Sequence, residues 1–409
     1  MNGERCYVGS EIGQLRGVIL HHSELSLKRL TPSNSAELLF DDVLRVEQAE
    51  KEHDYFCQIL RNEKVEVFLL RNLLSDVLEN EQEREWLLER QCSDYFLGPA
   101  LAEATKDFLR SKNTIDMASY LIGGITQIEF KDAAHSLVYK MRGETEFILP
   151  PLPNHLFTRD TSCWIYDGVS INPMAKAARK RETVNLRAIY NFHPLFKEKD
   201  FNFWFGNSDK NYEHATLEGG DVLVIGNGLV VIGLGERSSP QGVELLAASL
   251  FSKGSAKKIV VVELPKARSA MHLDTVMTML DYDCFTIYPP VMDNVRCFEL
   301  SGNGENKPLN VRELKKNLFD YIADYLGTGK VKLIPTGGNA FEMEREQWND
   351  ANNVLTIRPG VVIGYNQNTH TLENMHNAGI HVHTIGGEEL GRGRGGARCM
   401  SCPFDRDDL

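Results

Sequence analysis

A loosely repeated pattern of a polar turn, an apolar strand, a tight turn and a second strand limits how this chain can fold. The pattern covers residues 160–171 and 219–233 and, after an insertion, residues 337–364. Helical patterns follow the second and third copies, over residues 242–251 and 371–378. The period is long for a solenoid and suits a supersecondary unit repeated about an axis. The repeat therefore predicts an α/β fold in which polar turns meet in one central cleft.

The chain opens as a strand–helix–strand unit, and its amino-acid composition then changes. Apolar residues recur at helical spacing over residues 37–60, between two segments that favour strands. Glu, Gln, Arg and Leu dominate most of residues 73–145, where strand patterns largely disappear. We therefore expect a catalytic α/β domain made of residues 1–72 and 146–409, into which residues 73–145 are inserted as a helical-bundle subdomain.

Two shorter segments also carry structural predictions. Residues 136–139 combine Leu, Val and Tyr, which favour strands, and predict a strand at this point. Residues 311–326 place apolar side chains on one face at helical spacing, which predicts an amphipathic helix that covers a sheet.

The charge balance and the absence of long apolar runs bear on the partners of the chain. Lys+Arg 45 against Asp+Glu 57 gives a net charge of -12, which argues against general binding of nucleic acid or anionic membranes. No apolar run approaches the roughly 18 residues that a membrane span needs, and residues 1–6 lack the apolar core of a secretory signal. The eight cysteines show no disulfide-framework spacing, so a reducing, cytoplasmic location is expected.

The densest chemistry of the chain lies in residues 391–403, where glycines alternate with arginines ahead of Cys399. Glycine lets a backbone adopt positive φ and approach a ligand closely, so this run is predicted to be a shaped loop. The planar donors of an arginine match a carboxylate or a phosphate. A thiol beside such an arginine side chain could act as a nucleophile.

This run is open to other interpretations. Arg-Gly repeats are typical of flexible tails that bind nucleic acid, but the chain is acidic and holds one short copy. Cys399 and Cys402 form a C-x-x-C, which could be a redox pair or half of a zinc site. No second C-x-x-C or C-x-x-H accompanies it, and a glycine loop precedes it, so both are disfavoured. A single cysteine is most often a small buried hydrophobe.

Acids and a histidine stand at other turns that lead into predicted strands. These turn residues are Asp160, Glu218, Asp221, His272 and Asp274. An isolated acid at a turn usually forms a cap or an Asx-turn. Glu218 and Asp221, however, flank a glycine pair directly before an apolar strand. His272 and Asp274 are two residues apart, so both can point into a cleft if the residue between them points into the protein.

A thiol, a histidine and several carboxylates together suit group transfer on a cationic substrate. Cysteine with histidine suggests acyl or amidine transfer through a covalent thioester-like or thiouronium intermediate. Carboxylates do not suit the oxyanion of a protease, which needs donors, but they suit a guanidinium, amidinium or ammonium head. Arg179, Arg237 and Arg394 would then bind an anionic end of the substrate. The expected substrate is an amino acid with a cationic tip, such as arginine.

Motifs along the chain together resemble arginine deiminase. In chain order they are Leu30-Thr31-Pro32-Ser33-Asn34, Phe40-Asp41-Asp42-Val43-Leu44, Pro153-Asn154 with Phe157-Thr158-Arg159-Asp160, Glu218-Gly219-Gly220-Asp221, Gly235-Glu236-Arg237-Ser238, His272-Leu273-Asp274-Thr275-Val276, and Gly391-Arg392-Gly393-Arg394-Gly395-Gly396 through Cys399-Met400-Ser401. They occur in the family's order, and the match runs essentially end to end, the helical insertion included. The resemblance implies a pentein fold, an α/β propeller of five ββαβ units around a pseudo-fivefold axis, with the active site in the central channel.

The same resemblance, carried over position by position, implies catalytic roles. Cys399 would be the nucleophile, and His272 the general acid and base, supported by Glu218. Asp160 and Asp274 would bind the guanidinium of the substrate. No metal and no cofactor would be required.

The resemblance also implies the contacts of the substrate and the setting of the reaction. The implied substrate-binding residues are Asn154, Phe157, Arg179, Arg237, Gly393 and Arg394. The three arginines would hold the substrate carboxylate, with Asn154 at the amino-acid end and Phe157 lining the pocket. The reaction would be hydrolysis of L-arginine to L-citrulline and ammonia, the first step of arginine catabolism, in a homo-oligomer (a dimer or a tetramer).

Two other classes of function remain open from the sequence. One is another pentein enzyme, namely an amidinotransferase, a methylarginine hydrolase or an agmatine deiminase; agmatine has no carboxylate, so it would leave three arginines unexplained. The other is a non-catalytic arginine-binding or thiol-redox protein that uses Cys399 and Cys402. The carboxylates near Cys399 also predict that its pKa is raised in the empty site.

Overall fold

The structure, a computed structural model, describes residues 6–22, 24–130, 135–303 and 309–409. Residues 1–5, on which the expectation of no secretory signal mainly rests, lie outside the described residues, as do residues 131–134 of the predicted helical subdomain. Among the described residues, no helix has both the length and the apolar character that crossing a bilayer requires.

The strands of the described residues fall into six sheets. In chain order they are β1 (Tyr7–Val8), β2 (Leu15–Leu20), β3 (Glu66–Leu69), β4 (Ile125–Thr126), β5 (Phe147–Leu149), β6 (Ser162–Ile165), β7 (Gly168–Ile171), β8 (Asn202–Phe205), β9 (Val222–Gly226), β10 (Leu229–Leu234), β11 (Lys258–Glu263), β12 (Met277–Asp281), β13 (Cys284–Ile287), β14 (Cys297–Ser301), β15 (Asn310–Glu313), β16 (Lys332–Pro335), β17 (Leu355–Arg358), β18 (Val361–Tyr365), β19 (His381–Ile385) and β20 (Cys402–Arg406).

Helices alternate with these strands along the chain. They are α1 (Leu25–Lys28), α2 (Val46–Asn62), α3 (Leu70–Leu78), α4 (Glu81–Gln91), α5 (Asp94–Leu97), α6 (Pro99–Arg110), α7 (Thr114–Gly123), α8 (Leu137–Lys140), α9 (Thr158–Thr161), α10 (Glu182–Phe192), α11 (Pro194–Lys197), α12 (Pro240–Lys253), α13 (Pro289–Met292), α14 (Leu318–Leu326), α15 (Ala340–Trp348) and α16 (Thr369–Asn377).

Five of the sheets share one arrangement of three strands, in which an antiparallel pair is followed by a strand parallel to its second member. These triplets are β6-β7-β8, β9-β10-β11, β12-β13-β16, β17-β18-β19 and β20-β2-β3. The repeat predicted from the sequence corresponds to the hairpins β6–β7, β9–β10 and β17–β18, so those strands are confirmed. The last triplet joins the two ends of the chain, because β20 pairs with β2.

The hairpin β9–β10 shows why such a unit forms. Every residue of β9 is buried, and β10 is buried up to its last residue, as expected for strands covered on both faces. Asn227 and Gly228 form the turn between them with φ of 54° and 90°, a conformation that Asn and Gly adopt more readily than other residues. Helix α12 follows, and the side chain of Ser239 caps it by accepting a hydrogen bond from the N of Gly242.

The helix predicted over residues 37–60 begins later than expected. Residues 32–39 form turns, and Leu39 adopts a left-handed φ of 66°, which a helix does not continue through. Helix α2 starts only at Val46. The turn segment ahead of it is therefore free to contact the functional site.

Two other local predictions were wrong. Residues 136–139 were expected to form a strand, but they belong to the helical turn at α8, which the Ser136 side chain caps by accepting from the N of Tyr139. The helix predicted over 311–326 begins at Leu318, because the residues of β15 pair with β14 instead. In both places tertiary packing and capping outweigh the local preference of the side chains.

Helices α3 to α7 occupy most of the segment that was predicted to be an inserted subdomain. Their buried side chains, such as Leu74 and Leu121, belong to the same apolar cluster as Trp164 of β6 and Leu186 of α10. The helices thus pack onto the first strand triplet. The division of the chain into two domains stays a prediction.

Candidate active site

The chain enters four of the strand triplets through turns that carry the predicted catalytic side chains. Asp160 lies in α9, directly ahead of β6, and Glu218 precedes the short helical turn that leads into β9. His272 and Asp274 lie at the helical turn ahead of β12. Cys399 ends the glycine-rich loop ahead of β20. The fold therefore brings residues that are far apart in the sequence to equivalent positions.

These residues gather around one small cavity. Of the eleven site residues predicted from the sequence, nine line the cavity. The other two, Glu218 and Asp274, lie next to lining residues: Glu218 bonds His272, and Asp274 approaches the Cys399 sulfur. The structure thus brings together all the predicted site residues, while their roles remain predictions.

His272 is held between two carboxylates. Its Nε2 atom lies 2.8 Å from Oε2 of Glu218, and its Nδ1 atom lies 3.7 Å from Oδ1 of Asp160. Burial lowers the pKa of His272, but the charge of Asp160 and the hydrogen bond to Glu218 outweigh burial and raise that pKa above its usual range. In the empty site His272 therefore carries a proton at neutral pH, as a general acid must.

The thiol of Cys399 is buried beside Asp274, with Sγ 3.7 Å from Oδ2 of that carboxylate. Burial first, and then the charges of Asp274 and Asp160, raise the pKa of Cys399 well above its usual value. The direction predicted from the sequence is confirmed, but burial rather than carboxylate charge is the largest cause. In the empty cavity the sulfur is therefore a neutral thiol.

Two residues that the sequence did not single out hold the Cys399 thiol and the Asp274 carboxylate. The Asn353 side chain accepts a hydrogen bond of 2.9 Å from the N of Cys399 and donates one of 3.1 Å to its Sγ. Arg398 donates to Asp274 at 2.7 Å and to Glu11 at 3.1 Å. Asn353 had a signal in the sequence, because it stands just ahead of a repeat strand as the predicted acids do. Arg398 was hidden within the Arg-Gly run.

Arg179 and Arg237, which were predicted to bind the substrate carboxylate, are bonded to protein carboxylates in this structure. Arg179 donates to Asp160, and to Glu182 at 2.9 Å. Arg237 donates to Glu218 at 3.2 Å. Both guanidinium groups line the cavity, but neighbouring acids already balance their charges.

Arg394 is held differently. Its guanidinium carbon lies 3.6 Å from the centroid of the Trp348 ring, and one amino group donates to the Trp348 carbonyl oxygen. The backbone of Arg394 is left-handed, with φ of 62°. Its Nε atom and second amino group are buried and have no hydrogen-bond partner among the described residues. Arg394 is one of the residues that line the cavity, and free guanidinium donors of this kind suit an anion.

The predicted residues at the amino-acid end pack against the turn that precedes α2. Asn154 donates to the carbonyl oxygen of Leu38 at 2.7 Å, and the Phe157 ring stacks on Phe40 with centroids 6.3 Å apart. A Cβ on Gly393 would lie 2.9 Å from Phe157 and 3.0 Å from Phe40. Only glycine lets the loop pass this close to both rings.

Three further residues line the cavity without a role predicted from the sequence: Arg268, Met271 and Thr275. Arg268 donates to the carbonyl oxygen of Leu39 and to Asp41, both at 3.0 Å. It therefore ties the same turn segment to the rim of the cavity.

Asp160, Glu218 and His272 offer ligand atoms within 4.8 Å of one another, and are the one such group among the described residues. Carboxylate and imidazole ligands of this kind can bind a metal ion. However, Asp160 and Glu218 already accept from Arg179 and Arg237, so a metal ion would have to compete with two guanidinium cations. The expectation that no metal is needed stays a prediction.

Solved structures of three other proteins share this fold. SxtG, an amidinotransferase from Microseira wollei in the saxitoxin biosynthetic pathway, is 14% identical over 99% of this chain and 98% of that chain, with a TM-score of 0.54. The N-terminal domain of ArgZ, an arginine dihydrolase of the cyanobacterial ornithine–ammonia cycle, is 14% identical over 95% and 97%, with a TM-score of 0.54. Dimethylarginine dimethylaminohydrolase from Pseudomonas aeruginosa, solved with citrulline, is 15% identical over 96% and 100%, with a TM-score of 0.52.

At such identities the likeness establishes the fold, and the fold is the pentein type of α/β structure. A model of the arginine deiminase family matches residues 36–406. The chain belongs to the arginine deiminase family, as its motifs had suggested. Membership of this family indicates that the protein is a guanidine-modifying enzyme, which acts by hydrolysis or transfer on an amidine C–N bond.

Proposed function

We propose that the protein is an arginine deiminase, which hydrolyses L-arginine to L-citrulline and ammonia through a covalent intermediate on Cys399. One observation carries the proposal. The cavity that Cys399 lines is also lined by Asp160 and Arg394. Among the described residues, Oδ1 of Asp160 faces His272 at 3.7 Å but accepts no hydrogen bond, and two guanidinium nitrogens of Arg394 donate none. A buried polar atom without a partner is costly, so this cavity suits a ligand with both a cationic and an anionic end.

In the proposed complex, Asp160 and Asp274 bind the substrate guanidinium while Arg179, Arg237 and Arg394 face its carboxylate. Asp274 already lies 3.7 Å from the Cys399 sulfur. A planar guanidinium held by Asp274 would therefore present its carbon close to the nucleophile, and such positioning lowers the barrier. Asn154, Phe157 and Gly393 would enclose the amino-acid end.

Attack on the guanidinium begins the reaction. The thiolate of Cys399 forms a bond to the guanidinium carbon, and the adduct is neutral. His272 gives its proton to one amino nitrogen, which departs as ammonia. A positively charged S-alkylthiouronium remains on the enzyme, and His272 is now neutral, supported by its bond to Glu218.

Hydrolysis of the thiouronium completes the reaction. His272 takes a proton from water, and the hydroxide adds to the same carbon. The C–S bond breaks, and its electron pair returns to the sulfur of Cys399. The remaining proton on the ureido group passes to ammonia, so the products are citrulline and an ammonium ion.

The charges around Cys399 suit a nucleophile that is activated by its own substrate. The raised pKa of Cys399 keeps the sulfur protonated while the cavity is empty. A bound guanidinium would place a positive charge beside the sulfur and lower that pKa again. Substrate binding and activation of the nucleophile would therefore occur together, with the thiol proton released to bulk water on binding and taken up again when the product leaves.

Finer features of the proposal are a propeller of five ββαβ units around a pseudo-fivefold axis, a role in arginine catabolism, a homo-oligomer and a cytoplasmic location. The propeller is supported by five sheets that share one three-strand arrangement. The other features come from the family resemblance and from the composition. The alternative is another pentein enzyme that transfers the amidino group to an amine or acts on methylarginine.

The test is incubation of the purified protein with L-arginine alone, with ammonia and citrulline quantified, beside Cys399→Ala. Equal amounts of both products, absent in the variant, would support the proposal. Arginine that is consumed only after an amine acceptor is added would indicate a transferase instead. Turnover that survives Cys399→Ala would contradict the role of the thiol.

A further inference from the structure

Asn353 stands where the repeat of the fold would place a catalytic residue. It is buried just ahead of β17, the first strand of the one triplet for which no catalytic residue was predicted. The other four triplets contribute Asp160, Glu218, His272 and Cys399 from equivalent turns. Asn353 contacts the sulfur of Cys399, the proposed nucleophile of this set.

Backbone donors fix the orientation of the Asn353 amide. Its Oδ1 atom accepts from the N of Cys399 at 2.9 Å and from the N of Gly396 at 3.1 Å. A backbone N–H only donates, so the amide oxygen must face these two groups and the amide nitrogen must face the other way. Nδ2 lies 3.2 Å from the Asp274 carbonyl oxygen and 3.1 Å from the Cys399 sulfur. Each amide hydrogen thus has one acceptor.

Gly396 makes this close approach possible. A Cβ at that position would lie 2.3 Å from the carbonyl oxygen of Asn353 and 3.0 Å from its side chain. No other residue would fit without displacing the backbone. One glycine of the Arg-Gly run therefore serves to seat the nucleophile against the Asn353 amide.

We propose that Asn353 is a further catalytic residue, which donates a hydrogen bond to the Cys399 sulfur and stabilises its thiolate form. Hydrogen bonds to charged acceptors are roughly twice as strong as those to neutral ones, so this donor favours the thiolate over the thiol. The neighbouring carboxylates of Asp274 and Asp160 disfavour the thiolate, while Arg398 favours it. Asn353 supplies a donor where the surrounding charge is mostly negative.

The chemistry of this inference rests on the proposed function. In the first half of that reaction, the sulfur electron pair forms the C–S bond, and ammonia leaves with a proton from His272. In the second half, the C–S bond breaks and the electron pair returns to sulfur. The sulfur of Cys399 is anionic at the start of one half and at the end of the other, so one donor serves both.

The test compares Asn353→Asp and Asn353→Ser with a matched control, Asn352→Asp. The substitution Asn353→Asp keeps an oxygen for the two backbone donors but replaces the donor to sulfur with a carboxylate oxygen. Asn352 is equally buried beside it, but it bonds Thr336 and Thr286, each at 2.8 Å, rather than the nucleophile. The control therefore reports the effect of an acid in the same turn.

The first readout is the rate of Cys399 alkylation by iodoacetamide across neutral and mildly alkaline pH, without substrate. Tandem mass spectrometry separates Cys399 from Cys402, which lies in the same tryptic peptide. We expect alkylation at a fixed pH to be at least about tenfold slower in Asn353→Asp, equivalent to one pKa unit. The kcat for arginine should fall about 100-fold, as for loss of a donor at a reacting atom, with KM within about threefold. Asn352→Asp should stay within about twofold in both readouts.

Two results would overturn the inference. One is alkylation and kcat within about twofold of the unmodified protein in a folded Asn353→Asp, with folding checked by circular dichroism. The other is loss of the folded state in both Asn353 variants, which would assign Asn353 to structure alone. If the protein does not turn over arginine at all, the proposed function fails, yet the alkylation rates still decide whether Asn353 acts on the sulfur.

Discussion

Arg179 donates a hydrogen bond to Asp160, so a residue predicted to bind the substrate carboxylate is bonded to one predicted to bind its guanidinium. The other donors of Arg179 reach Glu182 and the carbonyl oxygens of Asn154 and Phe157. Arg179 therefore organises the wall of the cavity before any substrate binds. A substrate guanidinium would share Asp160 with it.

Arg179→Gln should lower both stability and kcat. The change removes the cation that the buried carboxylates of Asp160 and Glu182 share, and breaking such a buried pair typically costs about 3–5 kcal/mol. The activity should fall because Asp160 loses the group that fixes its position. Urea unfolding followed by circular dichroism measures the first effect, and steady-state kinetics measures the second.

The control for that variant is Arg296→Gln, which removes an exposed pair with Glu263 at 3.0 Å. Exposed pairs contribute little because water and salt screen them, so its unfolding midpoint should barely move. Equal shifts of the unfolding midpoint in the two variants would show that the buried network around Arg179 contributes no more to stability than an exposed ion pair.

Arg394→Gln should mainly raise the KM for arginine. The unpartnered donors of Arg394 are proposed to bind the substrate carboxylate, and a lost bond to a charged group is typically about 1.5–3 kcal/mol, or roughly tenfold to a hundredfold in KM. Trp348→Leu should act in the same direction more weakly, because the ring orients the guanidinium. Agmatine, which has no carboxylate, is the comparison substrate. An equal loss of kcat/KM for arginine and agmatine would contradict this role.

The residues that could be predicted from the sequence are those that break a strong local pattern. Asp160, Glu218 and His272 are charged or titratable groups ahead of apolar strands, and an unpaired group of this kind inside a buried strand would be costly. The strand pattern itself was predictable for the same reason. The family resemblance then connected these separate turns to one site.

The contacts that could not be predicted depend on pairs that are distant in the chain. Arg398 bonds Glu11 and Asp274, and neither pair leaves a pattern within a short window of sequence. Asn353 was overlooked because an asparagine before a strand is ordinarily a turn residue. The assignment of residues 136–139 failed for a related reason, since short segments follow their tertiary surroundings.

The burial of His53 should make the folded protein less stable in mild acid. It is buried in α2, and its Nε2 atom has no hydrogen-bond partner among the described residues. Burial, and then the positive charge of neighbouring groups such as His22, lower the pKa of His53 to about 3. An unfolded histidine titrates near 6.5, so below that pH the unfolded chain binds a proton that the folded chain does not. Stability should therefore fall as pH drops from about 6.5 towards 3, by about 2 kcal/mol from this residue at pH 5.

The measurement is the difference in unfolding free energy between pH 7 and pH 5 for the unmodified protein and for His53→Gln. The comparison with His53→Gln is needed because other buried groups titrate in the same pH range. Glu182 and Asp221 have pKa values raised to about 7, so their protonation stabilises the folded protein as the pH falls. His53→Gln should lose less stability on acidification than the unmodified protein. His376→Gln, at an exposed histidine, should show the full loss. Identical pH slopes for His53→Gln and the unmodified protein would contradict the prediction.

Cys402→Ser should leave the activity nearly unchanged. The Cys402 sulfur is buried in β20, 3.3 Å from the carbonyl oxygen of Ser162 and 3.8 Å from the hydroxyl of Tyr190, and it does not line the cavity. A serine hydroxyl can donate to the same carbonyl oxygen, so the unfolding free energy should change by about 1 kcal/mol or less. We expect kcat/KM for arginine within about threefold of the unmodified protein, whereas Cys399→Ser should have no measurable turnover. A folded Cys402→Ser without activity would instead favour a function in which the two cysteines of the C-x-x-C act as a pair.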